Sequence, residues 1–269
     1  MQNNFYLAIG LTLAAGLSTG IGSCIAFFAK KTNKKFLSVT LGFSAGVMLY
    51  ISFVEIFFKG QKILTATLGS PKGQWLNTLC FFAGIAVIAI IDKLVPEFEN
   101  PHEHHLVEEL SDNKSKNDFN KLHKTGIMTA LAIGIHNFPE GLATFISTLH
   151  DPIAGISIAF AIAIHNIPEG IAVSIPVFYA TGSRKKAFAY SFLSGISEPI
   201  GALVGYFLIL PFMSEIVMGC IFGFIAGIMV FISLDQLLPA AREYGEHHLS
   251  IYGLIAGMAV MAISLLLFL

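Results

Sequence analysis

Residues 5 to 28 read FYLAIGLTLAAGLSTGIGSCIAFF, and none of them is charged. At 1.5 Å of rise per residue a helix of that length is about 36 Å long, enough to cross a hydrocarbon core of roughly 30 Å. Runs of this kind recur along the chain and leave little freedom of fold. In hydrocarbon every backbone N–H and C=O must be satisfied within the chain, so only helices and closed barrels cross it. These runs are continuously apolar rather than alternating, which does not suit a barrel. The expected fold is all-α: a polytopic membrane protein with eight transmembrane helices, over about 5–28, 36–58, 75–95, 126–148, 152–179, 187–209, 215–238 and 250–269. Charged residues make up 12% of the chain, half the share of an ordinary soluble domain, and the mean hydropathy is +0.73.

The first run is expected to persist as a span. No charge precedes it, the first lysine being Lys30, and it is too long for the apolar region of a signal peptide. Lys and Arg give an orientation. Thirteen fall in the loops after spans 1, 3, 5 and 7, against Lys59, Lys62 and Lys72 on the other side. The excess predicts that the odd-numbered loops are cytoplasmic and both termini extracytoplasmic. Cys24, Cys80 and Cys220 are scattered singly through apolar runs and suggest neither a disulfide framework nor a metal cage. A net charge of −1 gives no sign of a nucleic-acid partner.

The one long polar segment, roughly 96–124, contains PHEHH at 101–105 and separates spans 1–3 from spans 4–8. It reads as a flexible cytoplasmic loop. No soluble domain is evident, so residues 1–269 are expected to form a single transmembrane domain.

Against this background the polar residues inside the spans are costly. Glu55, Glu140, Glu169, Glu198 and Asp235 fall in or near the ends of spans, with no Lys or Arg expected at their depth. A charge at the bilayer centre costs at least about 2.5 kcal/mol and usually marks an ion or proton path. The most specific signal is a repeat: IGIHNFPEG at 133–141 returns as IAIHNIPEG at 162–170. His136 lies 14 residues before His150, and His165 lies 14 after Asp151. With a tight turn at 150–151, the two histidines should share one level. Glu198 is 12 residues past Lys186, about 18 Å deep in a helix, so three spans deliver polar groups to one layer.

Within each motif His and Glu stand at i and i+4, on one helix face, with Asn137 and Asn166 about 100° further round. Pro139, Pro168 and Pro199 free the carbonyls of Ile135, Ile164 and Gly195. Gly141, Gly170, Gly195 and Gly201 permit close helix approach. Imidazole, carboxylate and carboxamide without thiolate suit Zn²⁺, Fe²⁺, Mn²⁺ or Co²⁺ better than Cu⁺. Two His, two Asn and three Glu exceed what one four-coordinate ion needs. Either two ions bind side by side or one is handed between overlapping ligand sets.

HNFPEG on span 4, HNIPEG on span 5 and Glu198 in SGISEPIGA on span 6 resemble the Zrt/Irt-like (ZIP) metal transporters, most of all the bacterial ZupT-type members. The resemblance covers the whole chain. It implies a binuclear transport site of His136, Asn137, Glu140, His165, Asn166, Glu169 and Glu198, with Glu140 and Glu169 bridging. It implies Met48, in AGVML, as a further contact, a homodimer, and alternating access in which one group of helices moves against another. Family members differ at the positions of His165 and Asn166, which leaves the metal open.

The function expected is uptake of divalent transition-metal cations, Zn²⁺ foremost, across the cytoplasmic membrane. The metal is cargo, and neither a cofactor nor a nucleotide is expected, since no P-loop occurs. Two other classes compete with this reading. An intramembrane zinc protease needs HExxH, and here Glu stands where the second His would be. The other is a proton-coupled carrier of an organic solute. At the periphery, Glu55 reads equally as an outer ligand or an interfacial carboxylate. Asp235 and Gln236 read as exit-side groups or, preferably, as capping or interhelical partners. His102, His104, His105, His247 and His248 read as a solvated polar set in preference to metal capture.

Overall fold

The computed structural model describes residues 4–28, 34–94, 133–135, 137–244 and 247–267. Among them there is no strand, and helices follow one another through short turns. They are α1 (Phe5–Phe28), α2 (Lys34–Ile51), α3 (Phe57–Leu68), α4 (Lys72–Leu94), α5 (residues 137–150), α6 (Pro152–Thr181), α7 (Arg184–Val204), α8 (Glu215–Ile232), α9 (Leu238–Tyr244) and α10 (His247–Leu267). Among the described residues seven helical stretches are long and apolar enough to cross a membrane; α5 is the described part of the eighth expected span. The loop 96–124, with His102, His104 and His105, lies outside the described residues.

Local chemistry accounts for the short turns. Asp151 caps α6, its Oδ1 accepting from the N–H groups of Ile153 and Ala154 at 3.1 and 3.2 Å, with Pro152 in the first helical position. Gly182 ends α6 with φ +61°, the left-handed turn that glycine adopts at no steric cost. Ser183 and Ser214 cap α7 and α8.

Two spans run further than their apolar cores suggest. A π turn, Ser52–Ile56, joins α2 to α3, making one apolar stretch from Ser38 to Leu68 of 31 residues. At about 46 Å it outreaches the hydrocarbon. Lys59 and Lys62 are therefore helical, not loop residues. A second π turn, Ser233–Leu237, likewise carries α8 into α9.

The helices sort into two groups. In one, α1, α6 and α7 pack mutually, and α5 joins them against α7. In the other, α3, α4 and α8 pack together while α2 packs on α10 and α9. Glycines let backbones touch within each group. A Cβ on Gly16 would meet the Gly195 carbonyl, and one on Gly195 would meet that of Gly16. Gly141 and Gly201 do the same for α5 and α7, Gly84 and Gly227 for α4 and α8. Every such glycine contact stays inside its own group. Between groups, α2 and α10 meet α6, and an apolar cleft of about 720 Å³ divides α4 and α8 from α5 and α7. Close small-residue contact is what holds membrane helices together, so the boundary is the looser seam.

Candidate metal centre

The turn at Asp151 folds α6 back along α5, which sets the two HNxPEG motifs face to face. Glu140, His165, Asn166, Glu169, Asn137 and Glu198 are all buried, none more than 3% exposed. His136 lies outside the described residues.

His165 Nε2 lies 3.1 Å from Glu140 Oε2, and its Nδ1 lies 3.2 Å from the Ala161 carbonyl. That carbonyl can only accept, so Nδ1 carries a hydrogen and the Nε2–Oε2 contact holds one further proton. An imidazole oriented through Nδ1–H onto a carbonyl, with Nε2 turned to the site, is the usual posture of a metal-binding histidine. The Asn166 amide nitrogen donates to the Ala15 carbonyl at 3.0 Å and to Glu198 Oε1. With its nitrogen turned toward acceptors, the Asn137 amide donates to the Ile133 carbonyl at 3.1 Å and to Glu169 Oε2 at 3.2 Å. Each carboxylate of the layer thus has a donor from a neighbouring helix.

The pairing is incomplete. Glu140 Oε1, Asn166 Oδ1 and Glu198 Oε2 are buried and accept no hydrogen bond. Such acceptors carry the full penalty of desolvation, and they come from α5, α6 and α7. Among the described residues, no three His, Cys, Asp or Glu side chains are gathered to hold an ion unaided. The donor set nonetheless fits a divalent cation, which could take all three oxygens as ligands.

The proline kinks bear on packing. The Gly195 carbonyl, freed by Pro199, abuts Gly16. On α6 outside donors reach the carbonyl of His165, from Ser44 Oγ of α2 at 3.0 Å, and that of Gly170, from Ser191 Oγ of α7 at 3.2 Å. Ser44 was not singled out in the sequence; its place in SAGVML, one turn before Met48, was the available signal. Met48 is wholly buried on that same face of α2.

Glu55 departs from expectation. Its Oε1 lies 3.8 Å from Lys59 Nζ, one turn on, so a cation does sit at its depth, because α3 continues the helix. The i, i+4 spacing of the pair was legible. Asp235 is exposed in the second π turn, and Gln236 donates to Asp92 on α4 at 3.4 Å, an interhelical bond. His248 is exposed on α10. All three cysteines are free.

Similarity to known proteins runs the length of the chain. A family model described as "ZIP Zinc transporter" matches residues 95–265. The chain is 63% identical over 268 residues to the zinc transporter ZupT of Streptococcus mutans, with 100% of both chains covered. It is 62% identical over 278 residues to that of Clostridium perfringens, covering 99% of this chain and 98% of that protein. It is 61% identical over 274 residues to that of Nitratidesulfovibrio vulgaris, covering 100% and 99%. These relatives are transporters, not enzymes.

Proposed function

The chain belongs to the ZIP zinc transporter family, and we propose that it takes up divalent transition-metal cations, Zn²⁺ first and Fe²⁺, Mn²⁺ and Co²⁺ after it, through the α5–α6–α7 layer. The observation that carries this reading is the set of three buried oxygens without donors, on Glu140, Asn166 and Glu198. The binding residues are His136, Asn137, Glu140, His165, Asn166, Glu169 and Glu198, holding two ions with Glu140 and Glu169 between them. Met48 and Glu55 lie along the path, and Asp235 stands at its cytoplasmic end.

The whole chain acts as one transmembrane unit in the inner membrane, with both termini outside, and works as a homodimer. Access alternates as the α1–α5–α6–α7 group moves against the other. The seam between the groups supports this, being crossed by no glycine contact among the described residues and opened by the apolar cleft. An ion bound by His165 Nε2 and Glu140 Oε2 replaces the proton between them, so metal binding releases protons. A negative interior favours inward movement by about 4.6 kcal/mol per 100 mV for a 2+ ion.

The test is uptake of radioactive zinc by proteoliposomes. Glu140→Ala and Glu169→Ala should each abolish uptake while the purified proteins remain folded. Unchanged transport in both removes the site. Activity dependent on a peptide or an organic solute, without metal flux, would favour the protease or the solute carrier instead.

A further inference from the structure

Buried hydroxyls in membrane helices normally bond back to a carbonyl one turn earlier. Thr12, Ser52, Thr148 and Ser233 do so here, at 2.6 to 2.8 Å. Thr144 and Ser147 on α5 are wholly buried, yet Thr144 Oγ1 and Ser147 Oγ have no partner. Thr19 and Ser23 on α1 are unmet as well, but the α5 pair continues the face of Glu140 toward Asp151.

Glu140, Thr144 and Ser147 follow at steps of four and three, within about 60° of arc on the helix, and Asp151, just past the end of α5, donates its N–H to the Ser147 carbonyl at 2.7 Å. The opposite side of α5 is committed elsewhere. Phe138 and Gly141 meet the backbone of α7, and Phe145 packs edge-on against Phe5 and Tyr206. At the inner end of the hydroxyl face stands Glu140, with its unpartnered Oε1. At the outer end, two cavities of about 620 and 300 Å³ share Glu55 and Asp151. The larger is also lined by Lys59, His150 and Glu215, and the smaller reaches Tyr50, Ala154 and Ser157.

We propose that this face of α5 is the outer half of the cation's path. Glu55 and Asp151 form a station that first receives the hydrated ion, and Ser147 and Thr144 are its steps to Glu140. The inference rests on the midplane site proposed above and assigns residues that the HNxPEG motifs do not contain. Carboxylate and hydroxyl oxygens suit a partly hydrated divalent cation. Neutral hydroxyls bind it one oxygen at a time, too weakly to trap it. Lys59, beside Glu55, is the resident cation that an arriving ion displaces.

The experiment compares zinc uptake in proteoliposomes with equilibrium Zn²⁺ binding to the same purified protein. The pair Thr144→Val and Ser147→Ala, made together, should lower kcat/KM for uptake at least about tenfold. Equilibrium binding at the midplane should stay within about twofold. Thr148→Val, whose hydroxyl is already bonded, should leave both unchanged. In a chain with Cys24, Cys80 and Cys220 replaced by serine, Ser147→Cys should react with a charged thiol reagent added outside intact cells. Zn²⁺ should slow that reaction, and Phe145→Cys should be inert. Wild-type uptake by the double variant, a parallel loss of binding and uptake, or an unreactive Ser147→Cys each overturns the path. Failure of the midplane reading shows separately, as uptake retained by Glu140→Ala.

Discussion

Glu140 and His165, 25 positions apart in the chain, meet at 3.1 Å between Oε2 and Nε2, with neither side chain exposed. The contact joins the two HNxPEG motifs across the α5–α6 hairpin. It also separates folding from transport in a measurable way. Glu140→Gln keeps an oxygen and adds a donor, so the imidazole retains a neighbour, but the charge an ion needs is gone. The variant is expected to unfold thermally close to the wild type and to lose zinc uptake by at least about 100-fold. Even groups that only support a metal ligand alter affinity 10- to 100-fold. Thermal unfolding in detergent beside radiotracer uptake checks both halves.

Gly141 links packing to the same layer. A Cβ at this position would lie 2.0 Å from the carbonyl oxygen of Glu198 and 2.5 Å from its Cα. Backbone cannot yield as a side-chain tip can, so Gly141→Ala must push α5 and α7 apart and carry Glu198 out of register. A loss of about 1–3 kcal/mol is expected from overpacking, together with weaker Zn²⁺ binding by calorimetry. Gly10→Ala meets nothing within 4 Å and is expected to cost no stability, with a gain of up to about 1 kcal/mol from helix propensity.

The apolar runs made the spans legible, because the bilayer requires continuous helices and the sequence shows where charge is absent. Repeat spacing about the Asp151 turn made the meeting of the two motifs legible as well, and Gly141, Gly170, Gly195 and Gly201 were rightly read as points of close approach. What remained hidden depends on neighbours. Pro199 frees the Gly195 carbonyl by rule, but only the fold puts Gly16 against it. The reach of α3 to Leu68 was masked by Lys59 and Lys62, which look like loop charges until the π turn carries the helix past the hydrocarbon. Ser44 offered only its place one turn before Met48, and its bond to the His165 carbonyl spans 121 positions.

Asp151 has two duties that substitution can divide. Its Oδ1 caps α6, and its carboxylate lines the outer cavities with Glu55. Asp151→Asn retains a good cap and removes the charge; Asp151→Ala removes both. The alanine variant is expected to lose about 1 kcal/mol of stability, and the asparagine variant very little. Uptake at low zinc should fall in both, by a similar factor, through KM. If only the alanine variant is impaired, the carboxylate serves the cap alone.

Ser44 donates from α2 to the carbonyl of His165 on α6 at 3.0 Å, a buried hydrogen bond from one helix group to the other. Among the described residues glycine contacts hold each group together but do not cross between them, so this bond is specific to the arrangement of groups seen here. Ser44→Ala removes this bond, and a net hydrogen bond of about 1 kcal/mol corresponds to a roughly fivefold change in population. The variant is therefore expected to favour other arrangements about fivefold more than the wild type, while Ser44→Thr, which keeps the donor, behaves as the wild type. Ile90 on α4 and Leu193 on α7 are 58% and 62% exposed and belong to different groups. Spin labels at Ile90→Cys and Leu193→Cys, with the native cysteines replaced, report the separation of the groups. A second distance population should grow in Ser44→Ala and not in Ser44→Thr. Identical distributions in all three would mean that the bond stabilises the fold without biasing the movement.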